Sequence, residues 1–234
     1  MDKLIIVRGG GDVATGAIYT LSRCGFPVLV LEAEYPTAIR RHVSFSEAVY
    51  DGTSAVEDVS CVMADSFEHA LQIMNDGQVA MMVDEHCAVL EKVRPWALVD
   101  GILAKRNLGT SRDMAPKTVG LGPGFTAGMD VDLVIETMRG HDLGRIIEEG
   151  TALPNTGAPG EILGVTGERV IHAACDGVLL NIVHIGELVE KGQTLAVIRG
   201  SEAEIPVVAT ISGVLRGLIR SGFKVKKGLK IADI

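Results

Sequence analysis

The sequence predicts an α/β protein with two domains, one built around a mostly parallel sheet and one made of β-strands alone. Short apolar runs alternate with helical patterns along the first half, which is typical of parallel strands joined by crossovers. The last third instead repeats itself at an offset of 36 residues and places short β patterns between glycine turns. We place the domains at residues 1–160 and 165–234.

Composition excludes several classes of protein. The 234 residues include 22 basic and 30 acidic ones, a net charge of −8, which argues against binding to nucleic acid or to an anionic membrane surface. No apolar run is long enough for a membrane span or a signal peptide, so we expect a cytoplasmic protein with no membrane partner. The four cysteines form no C-x-x-C pair, which predicts reduced thiols and no metal site.

The opening segment predicts a strand, a helix and a second strand. Residues 4–7 form a continuous apolar run, typical of a strand buried on both faces. Apolar residues then recur at helical spacing over residues 13–21, and Gly25 follows at the position of a left-handed cap. A second apolar run, residues 27–31, ends at Glu32.

The alternation continues along the first domain. We expect a strand within residues 56–63, a helix over residues 67–74 that ends at Gly77, and a strand over residues 79–83. Further strands are predicted over residues 97–100 and 118–121, with a strand-like stretch at residues 130–137. Together these elements predict a parallel sheet with right-handed crossovers.

The glycines after the first strand match a dinucleotide-binding pattern. Gly9-x-Gly11-x-x-Ala14 fits G-x-G-x-x-G/A between a strand and a helix, and therefore predicts a Rossmann-like sheet. Free backbone N–H groups and the helix dipole bind a phosphate in such a turn, and the carboxylate at the end of the second strand accepts from ribose hydroxyls. Alternatively, the turn serves only helix–strand packing, and Asp12 only caps the helix. The candidate cofactor-binding residues here are Gly9, Gly10, Gly11, Asp12, Thr15 and Glu32.

Two further segments are candidates for the same cleft. Arg40 and Arg41 could contact a second phosphate or a pterin phosphate, or form a solvated turn. A second glycine loop, residues 120–128, also follows a predicted strand, and its Gly122 and Gly124 either face the cleft or form a structural Pro-Gly turn.

The C-terminal segment, residues 174–234, resembles the biotinyl/lipoyl carrier fold. In that family a modified lysine lies on the hairpin between the two halves of the domain. Residues 199–204 occupy the corresponding place and contain no lysine. A rigid docking or packing module is therefore expected instead of a swinging arm.

Five motifs give the whole chain a family resemblance. They are residues 7–16 (VRGGGDVATG), 40–50 (RRHVSFSEAVY), 104–107 (AKRN), 120–125 (GLGPGF) and 139–145 (RGHDLGR). With these motifs the chain resembles the YqeB-like accessory proteins of selenium-dependent molybdenum hydroxylases. The resemblance implies a role in maturation of such a hydroxylase as client enzyme, with a nucleotide or the molybdenum-pterin cofactor bound at the glycine-rich loop.

Two other functions remain open. An NAD(P)-dependent oxidoreductase would need a proton donor, for which His86, His141 and Lys105 are the candidates. A scaffold that docks the client enzyme would bind nothing at either glycine loop. A molybdopterin-type cofactor and NAD(P) are thus the candidate ligands, no residue is assigned a catalytic role, and exposed sheet edges are compatible with a homodimer.

Overall fold

The chain divides into two compact units. The computed structural model describes residues 2–157, 160–161, 164–200 and 203–234. The first unit comprises Met1–Pro36 and Val43–Thr156, and the second comprises Thr37–His42 and Gly157–Ile234. A short segment of the N-terminal half, residues 37–42, thus belongs to the second unit.

The first unit contains three α-helices and eleven strands. The helices are α1 (Asp12–Arg23), α2 (Ala48–Asp51) and α3 (Phe67–Asn75). The strands are β1 (Ile5–Arg8), β2 (Val28–Glu32), β3 (Thr53–Val56), β4 (Val59–Met63), β5 (Val79–Val83), β6 (Ala97–Asp100), β7 (Thr118–Leu121), β8 (Thr126–Ala127), β9 (Leu133–Ile135), β10 (Ile146–Ile147) and β11 (Gly150–Thr151). Short 3₁₀ turns cover Phe45–Glu47, Ala88–Glu91 and Arg112–Met114, and that at Arg41–Val43 spans the boundary of the two units.

Nine of these strands form one mixed sheet in the order β10-β9-β7-β6-β1-β2-β5-β4-β3. The central strands pair in parallel, but the outer pairs β3–β4 and β9–β10 are antiparallel. From β5 to β11, loops and 3₁₀ turns join successive strands in place of α-helices.

Apolar side chains from both faces of the sheet form two separate cores. Successive residues of a strand point to opposite faces, so Ile5 and Val7 pack with α1 while Leu4 and Ile6 pack with α3. Burial on both faces explains why β1 and β2 are continuous apolar runs.

The predicted local elements of this unit are largely confirmed. Helix α1 begins at Asp12 with Gly11 as its N-cap, so Asp12 is the first helical residue and not the cap. Gly25 follows the helix with φ of +83°, as expected of a left-handed cap. The stretch predicted as one strand at residues 56–63 contains the turn and second strand of the hairpin β3–β4.

Within its described residues, the second unit forms nine strands in three small antiparallel sheets. These strands are β12 (Val170–His172), β13 (Gly177–Asn181), β14 (Leu188–Val189), β15 (Thr194–Arg199), β16 (Glu204–Val208), β17 (Gly213–Val214), β18 (Gly217–Leu218), β19 (Lys224–Val225) and β20 (Lys230–Asp233). Their orders are β12-β20-β18, β16-β15-β13-β19 and β14-β17. A 3₁₀ turn, Gly167–Arg169, precedes them.

The fold class predicted from the sequence is therefore wrong. We expected a Rossmann-like parallel sheet and a C-terminal all-β biotinyl/lipoyl-like barrel-sandwich domain; the chain forms a mixed nine-stranded sheet and several small antiparallel sheets, with three α-helices in the part described. Periodicity predicts that a segment is a strand, but it does not predict the neighbour or the direction of pairing.

Hydrogen bonds between the two copies of the repeat are reciprocal. The amide of Gly222 donates to the carbonyl of Leu179 over 2.7 Å, and the amide of Gly186 donates to the carbonyl of Leu215 over 2.8 Å. Each partner lies 36 residues from its counterpart. The two copies of the 36-residue repeat therefore pair with each other, since each donates an equivalent backbone hydrogen bond to the other.

In the described ranges, none of the helices is long and apolar enough to cross a membrane.

Candidate functional site

A cavity of about 450 Å³ opens where four parallel strands of the first unit end. Its wall includes the last residues of β1 and β2 and the loops that follow β5 and β6. Ligands of open α/β sheets bind at this carboxyl edge, since the loops there surround a crevice. The polar side chains of the wall are those of Arg8, Glu32, Asp84, Glu85 and His86.

Arg8 connects the loops that form the cavity. Its side chain is 6% exposed and forms an ion pair with Asp100, the last residue of β6, at 3.3 Å. The guanidinium also donates to the hydroxyl of Thr110 and to the backbone carbonyls of Glu85 and Leu108. A buried guanidinium has five fixed donors, so it holds three segments in one arrangement.

Asp100 completes this network. One carboxylate oxygen accepts from Arg8 and from the Thr110 hydroxyl at 2.6 Å, and the other accepts from the amide of Ile102 at 3.1 Å. Because Asp100 is only 1% exposed, the charge of Arg8 is compensated inside the protein and does not contribute a free cation to the cavity.

Glu32 accepts hydrogen bonds from the glycine turn. Its Oε2 accepts from the amide of Gly10 at 2.6 Å and its Oε1 accepts from the amide of Ala33 at 2.8 Å. Burial raises the pKa of Glu32, the two amides lower it, and the neighbouring charge of Glu85 raises it further, so that the net shift is upward. The carboxylate lies in the cavity wall with its orientation set by the backbone.

The carbonyl of Gly10 is also occupied by the protein. It accepts from the amide of Ser46 at 2.8 Å and from the hydroxyl of Thr15 at 3.1 Å. The same Thr15 hydroxyl accepts from the amide of Phe45 at 3.0 Å. The segment around Phe45, part of one family motif, is therefore packed against the glycine turn.

Of the candidate residues in the glycine turn and at the end of β2, Gly9 and Glu32 lie in the cavity wall. Gly9 has φ of +87°, and a Cβ there would lie 3.1 Å from the backbone of Ile102, so a side chain is excluded. Gly11, the N-cap of α1, has φ of −65° and open space where a Cβ would be. A cofactor-binding role stays a prediction for all six candidates of this segment, namely Gly9, Gly10, Gly11, Asp12, Thr15 and Glu32.

The other predicted residues are placed elsewhere. Arg40 and Arg41 belong to the second unit, where Nε of Arg41 donates to the carbonyl of Leu218 at 2.8 Å. Gly122 and Gly124 lie in the first unit but outside the cavity wall, and both pack closely against other segments of that unit. A Cβ on Gly122 would lie 2.5 Å from Thr137 Oγ1, and one on Gly124 would lie 2.7 Å from a backbone nitrogen of the facing loop.

Sequence reasoning missed the residues that shape the cavity. Arg8 is a charged residue at the end of an apolar strand, directly before the three glycines, and this position was the available signal. Asp100 stands at the end of its strand in the same way. His86, a candidate proton donor for an oxidoreductase, lies in the wall.

A curated protein with a similar sequence is YqeB of Escherichia coli (strain K12), an uncharacterized protein. The two are 46% identical over 232 residues, which cover 99% of this chain and 42% of YqeB. This likeness supports a YqeB-like family for the chain. The chain spans less than half the length of that relative, and no family model matches it.

Solved structures with some likeness are of the succinylglutamate desuccinylase and aspartoacylase kind. The product-bound ectoine utilization protein EutE of Ruegeria pomeroyi is 13% identical with a TM-score of 0.29, over 98% of this chain and 56% of that one. An aspartoacylase family protein of Mesorhizobium loti is 10% identical with a TM-score of 0.30, over 99% and 83%. A succinylglutamate desuccinylase of a Silicibacter species is 13% identical with a TM-score of 0.30, over 99% and 84%. At such scores these likenesses carry no argument about this chain.

Proposed function

We propose that this YqeB-like protein is an accessory protein in the maturation of a selenium-dependent molybdenum hydroxylase, and that it binds a nucleotide or the molybdenum-pterin cofactor. The observation that supports the proposal most directly is the cavity at the carboxyl edge of the sheet, beside the glycine turn. Its volume of about 450 Å³ lies within the range of roughly 300–1,000 Å³ usual for small-molecule sites.

The chemistry of the wall fits one part of such a ligand. Apolar Leu31, Ile102 and Leu108 offer surface for a flat ring, and the carboxylate of Glu32 accepts hydrogen bonds from amino, ring N–H or hydroxyl groups. Guanine nucleosides carry all three kinds of donor, and the pterin ring carries the amino and ring N–H groups. In this scheme the protein binds and orients its cargo, and Arg8 keeps the cavity open by holding the surrounding loops.

Binding is tested on the purified full chain by isothermal titration calorimetry with neopterin, guanosine monophosphate and NADH. We expect saturable binding of the pterin or the nucleotide, and the same ligand should raise the melting temperature, since a ligand at ~100 times its Kd stabilises a fold by about 2.7 kcal/mol. Failure of every ligand to bind would reject the cofactor-binding role. Oxidation of NADH with a carbonyl substrate would favour the oxidoreductase instead.

The maturation role needs a second measurement. A cofactor-free molybdenum hydroxylase is incubated with the molybdenum-pterin cofactor in the presence or absence of this protein, and hydroxylase activity is followed over time. We expect faster recovery of activity with the wild-type protein than with a variant whose cavity is partly filled, such as Leu108→Trp, which enlarges a half-exposed side chain of the wall. Equal recovery with and without the wild-type protein would reject the maturation role.

A further inference from the structure

The glycine turn offers no free backbone donors at its first two residues. The amide of Gly9 donates to the carbonyl of Leu31 at 2.8 Å, and the amide of Gly10 donates to Glu32 at 2.6 Å. A phosphate bound here in the manner of a dinucleotide would have to displace the carboxylate of Glu32 from Gly10. The protein therefore already places an anion of its own where the sequence predicts a bound phosphate.

The charge of the wall also opposes an anion. It includes three carboxylates, those of Glu32, Asp84 and Glu85, whereas the guanidinium of Arg8 is paired with Asp100. His86 is the remaining titratable group of the wall. Like charges in a partly enclosed site repel a phosphate more strongly than they would in bulk water.

Glu32 is held ready to accept from a ligand. Each of its oxygens receives one backbone amide, and a carboxylate oxygen can accept two hydrogen bonds, so each retains one acceptor position. Two adjacent N–H donors on a planar ring match two carboxylate oxygens in the same bidentate geometry as a guanidinium. Guanine and pterin share such an edge, in which a ring N–H lies beside an exocyclic amino group.

We infer that the cavity recognises the aminopyrimidinone edge common to guanine and pterin through the carboxylate of Glu32, and that the phosphate of the ligand lies outside the cavity. The inference rests on the proposed cofactor-binding function and names the part of the ligand that is bound. It also assigns the glycine turn a supporting role: Gly10 orients the carboxylate, and the ligand binds the carboxylate.

The test compares probes that separate the ring from the phosphate. Titration calorimetry is performed with guanosine, guanosine monophosphate, neopterin, adenosine and inorganic phosphate. We expect guanosine and its monophosphate to bind within about threefold of each other, neopterin to bind, and adenosine to bind at least tenfold more weakly because it lacks the paired donors. Binding of inorganic phosphate, or a nucleotide that binds far more tightly than its nucleoside, would overturn the inference while leaving the cofactor-binding function intact.

Three variants complete the test. Glu32→Gln keeps one acceptor oxygen but loses the charge, and it should weaken guanosine by roughly 10- to 100-fold, as expected for hydrogen bonds to a charged group. Gly11→Val adds a side chain into open space at the helix N-terminus and should leave guanosine affinity within twofold. Glu57→Gln removes an exposed charge at the turn of the hairpin β3–β4, at the opposite edge of the sheet, and serves as the matched control.

The outcomes of these variants are distinct. Loss of guanosine monophosphate binding in Gly11→Val, with unchanged binding of guanosine and its monophosphate in Glu32→Gln, would show that the helix N-terminus binds the phosphate and would refute the inference. No binding of any probe to the wild type would refute both the inference and the proposed function. Circular dichroism of each variant establishes that it is folded.

Discussion

Removal of the carboxylate of Asp100 should destabilise the first unit strongly. In Asp100→Ala the guanidinium of Arg8, whose side chain is 6% exposed, would keep its charge but lose its buried counter-ion, and the hydroxyl of Thr110 would lose its acceptor. Breaking a buried pair in this way costs about 3–5 kcal/mol. The exposed pair of Arg23 and Asp58 is the control, because Asp58→Ala should cost no more than about 1 kcal/mol.

Urea unfolding followed by tryptophan fluorescence measures this effect. Trp96 is the only tryptophan of the sequence and lies directly before β6, so its signal reports on the first unit. With an m-value of about 2 kcal/mol/M, Asp100→Ala should lower the midpoint by roughly 1.5–2.5 M. The double variant Arg8→Met/Asp100→Leu should recover part of this loss, because it leaves no unpaired buried charge but still removes the partners of the Thr110 hydroxyl and the Ile102 amide. Equal midpoint shifts in Asp100→Ala and Asp58→Ala would refute the reasoning.

Two further predictions concern the first unit. Gly124→Ala should lower the free energy of unfolding by at least about 3 kcal/mol, because its Cβ would lie 2.7 Å from a facing backbone nitrogen. Gly128 also has a positive φ but faces open space, so Gly128→Ala should cost only about 1 kcal/mol. Urea unfolding midpoints of the two variants measure this difference. Burial raises the pKa of Asp132, but hydrogen bonds from Thr118 and Arg112 outweigh it and hold the pKa below 3.8. A depressed pKa stabilises the fold only while the carboxyl is ionised. The free energy of unfolding of the wild type should therefore exceed that of Asp132→Asn by about 1 kcal/mol at pH 6, and the difference should vanish as pH falls below 3.8. A constant difference over pH 2–6 would contradict this prediction.

Local elements of the first unit were predictable from the sequence. The apolar runs at β1, β2 and β5 are buried on both faces, so their composition is distinctive. Helix α1 has an apolar stripe and ends next to a glycine at positive φ, two signals that act over only a few residues. Such short-range patterns depend on the chain alone and therefore survive in the folded protein.

The pairing of strands was not predictable in the same way. Alternation of strands and helices suggested a parallel sheet, but the edge pairs β3–β4 and β9–β10 run antiparallel. The direction of an edge strand depends on where the chain turns and on which neighbouring strand is still unpaired. The periodicity of the sequence contains neither kind of information. The same reason accounts for the three separate sheets of the second unit.

The sequence named two residues that line the cavity, but it did not predict their contacts. Gly9 and Glu32 were recognised and lie in the cavity wall, yet the bond between Glu32 and Gly10 was not foreseen. Glu32 and Gly10 are 22 positions apart, and their contact depends on side-chain geometry in the folded protein, which sequence spacing does not specify. Arg41 was expected near the turn, but it is anchored in the second unit by a contact made 177 residues away.

By itself, the sequence determined where the first strands and helices form, that the last third is duplicated, and that a carboxylate ends the second strand. These properties arise from neighbouring residues. Only the tertiary structure decided which strands pair and in which direction, that Arg8 is neutralised by Asp100, and that a glutamate takes the amide predicted to bind a phosphate. Strand pairing, the Arg8–Asp100 ion pair and the Glu32–Gly10 hydrogen bond all join groups that are far apart in sequence. Their burial beside one another sets the net charge of the cavity and therefore the charge of the ligand that it can bind.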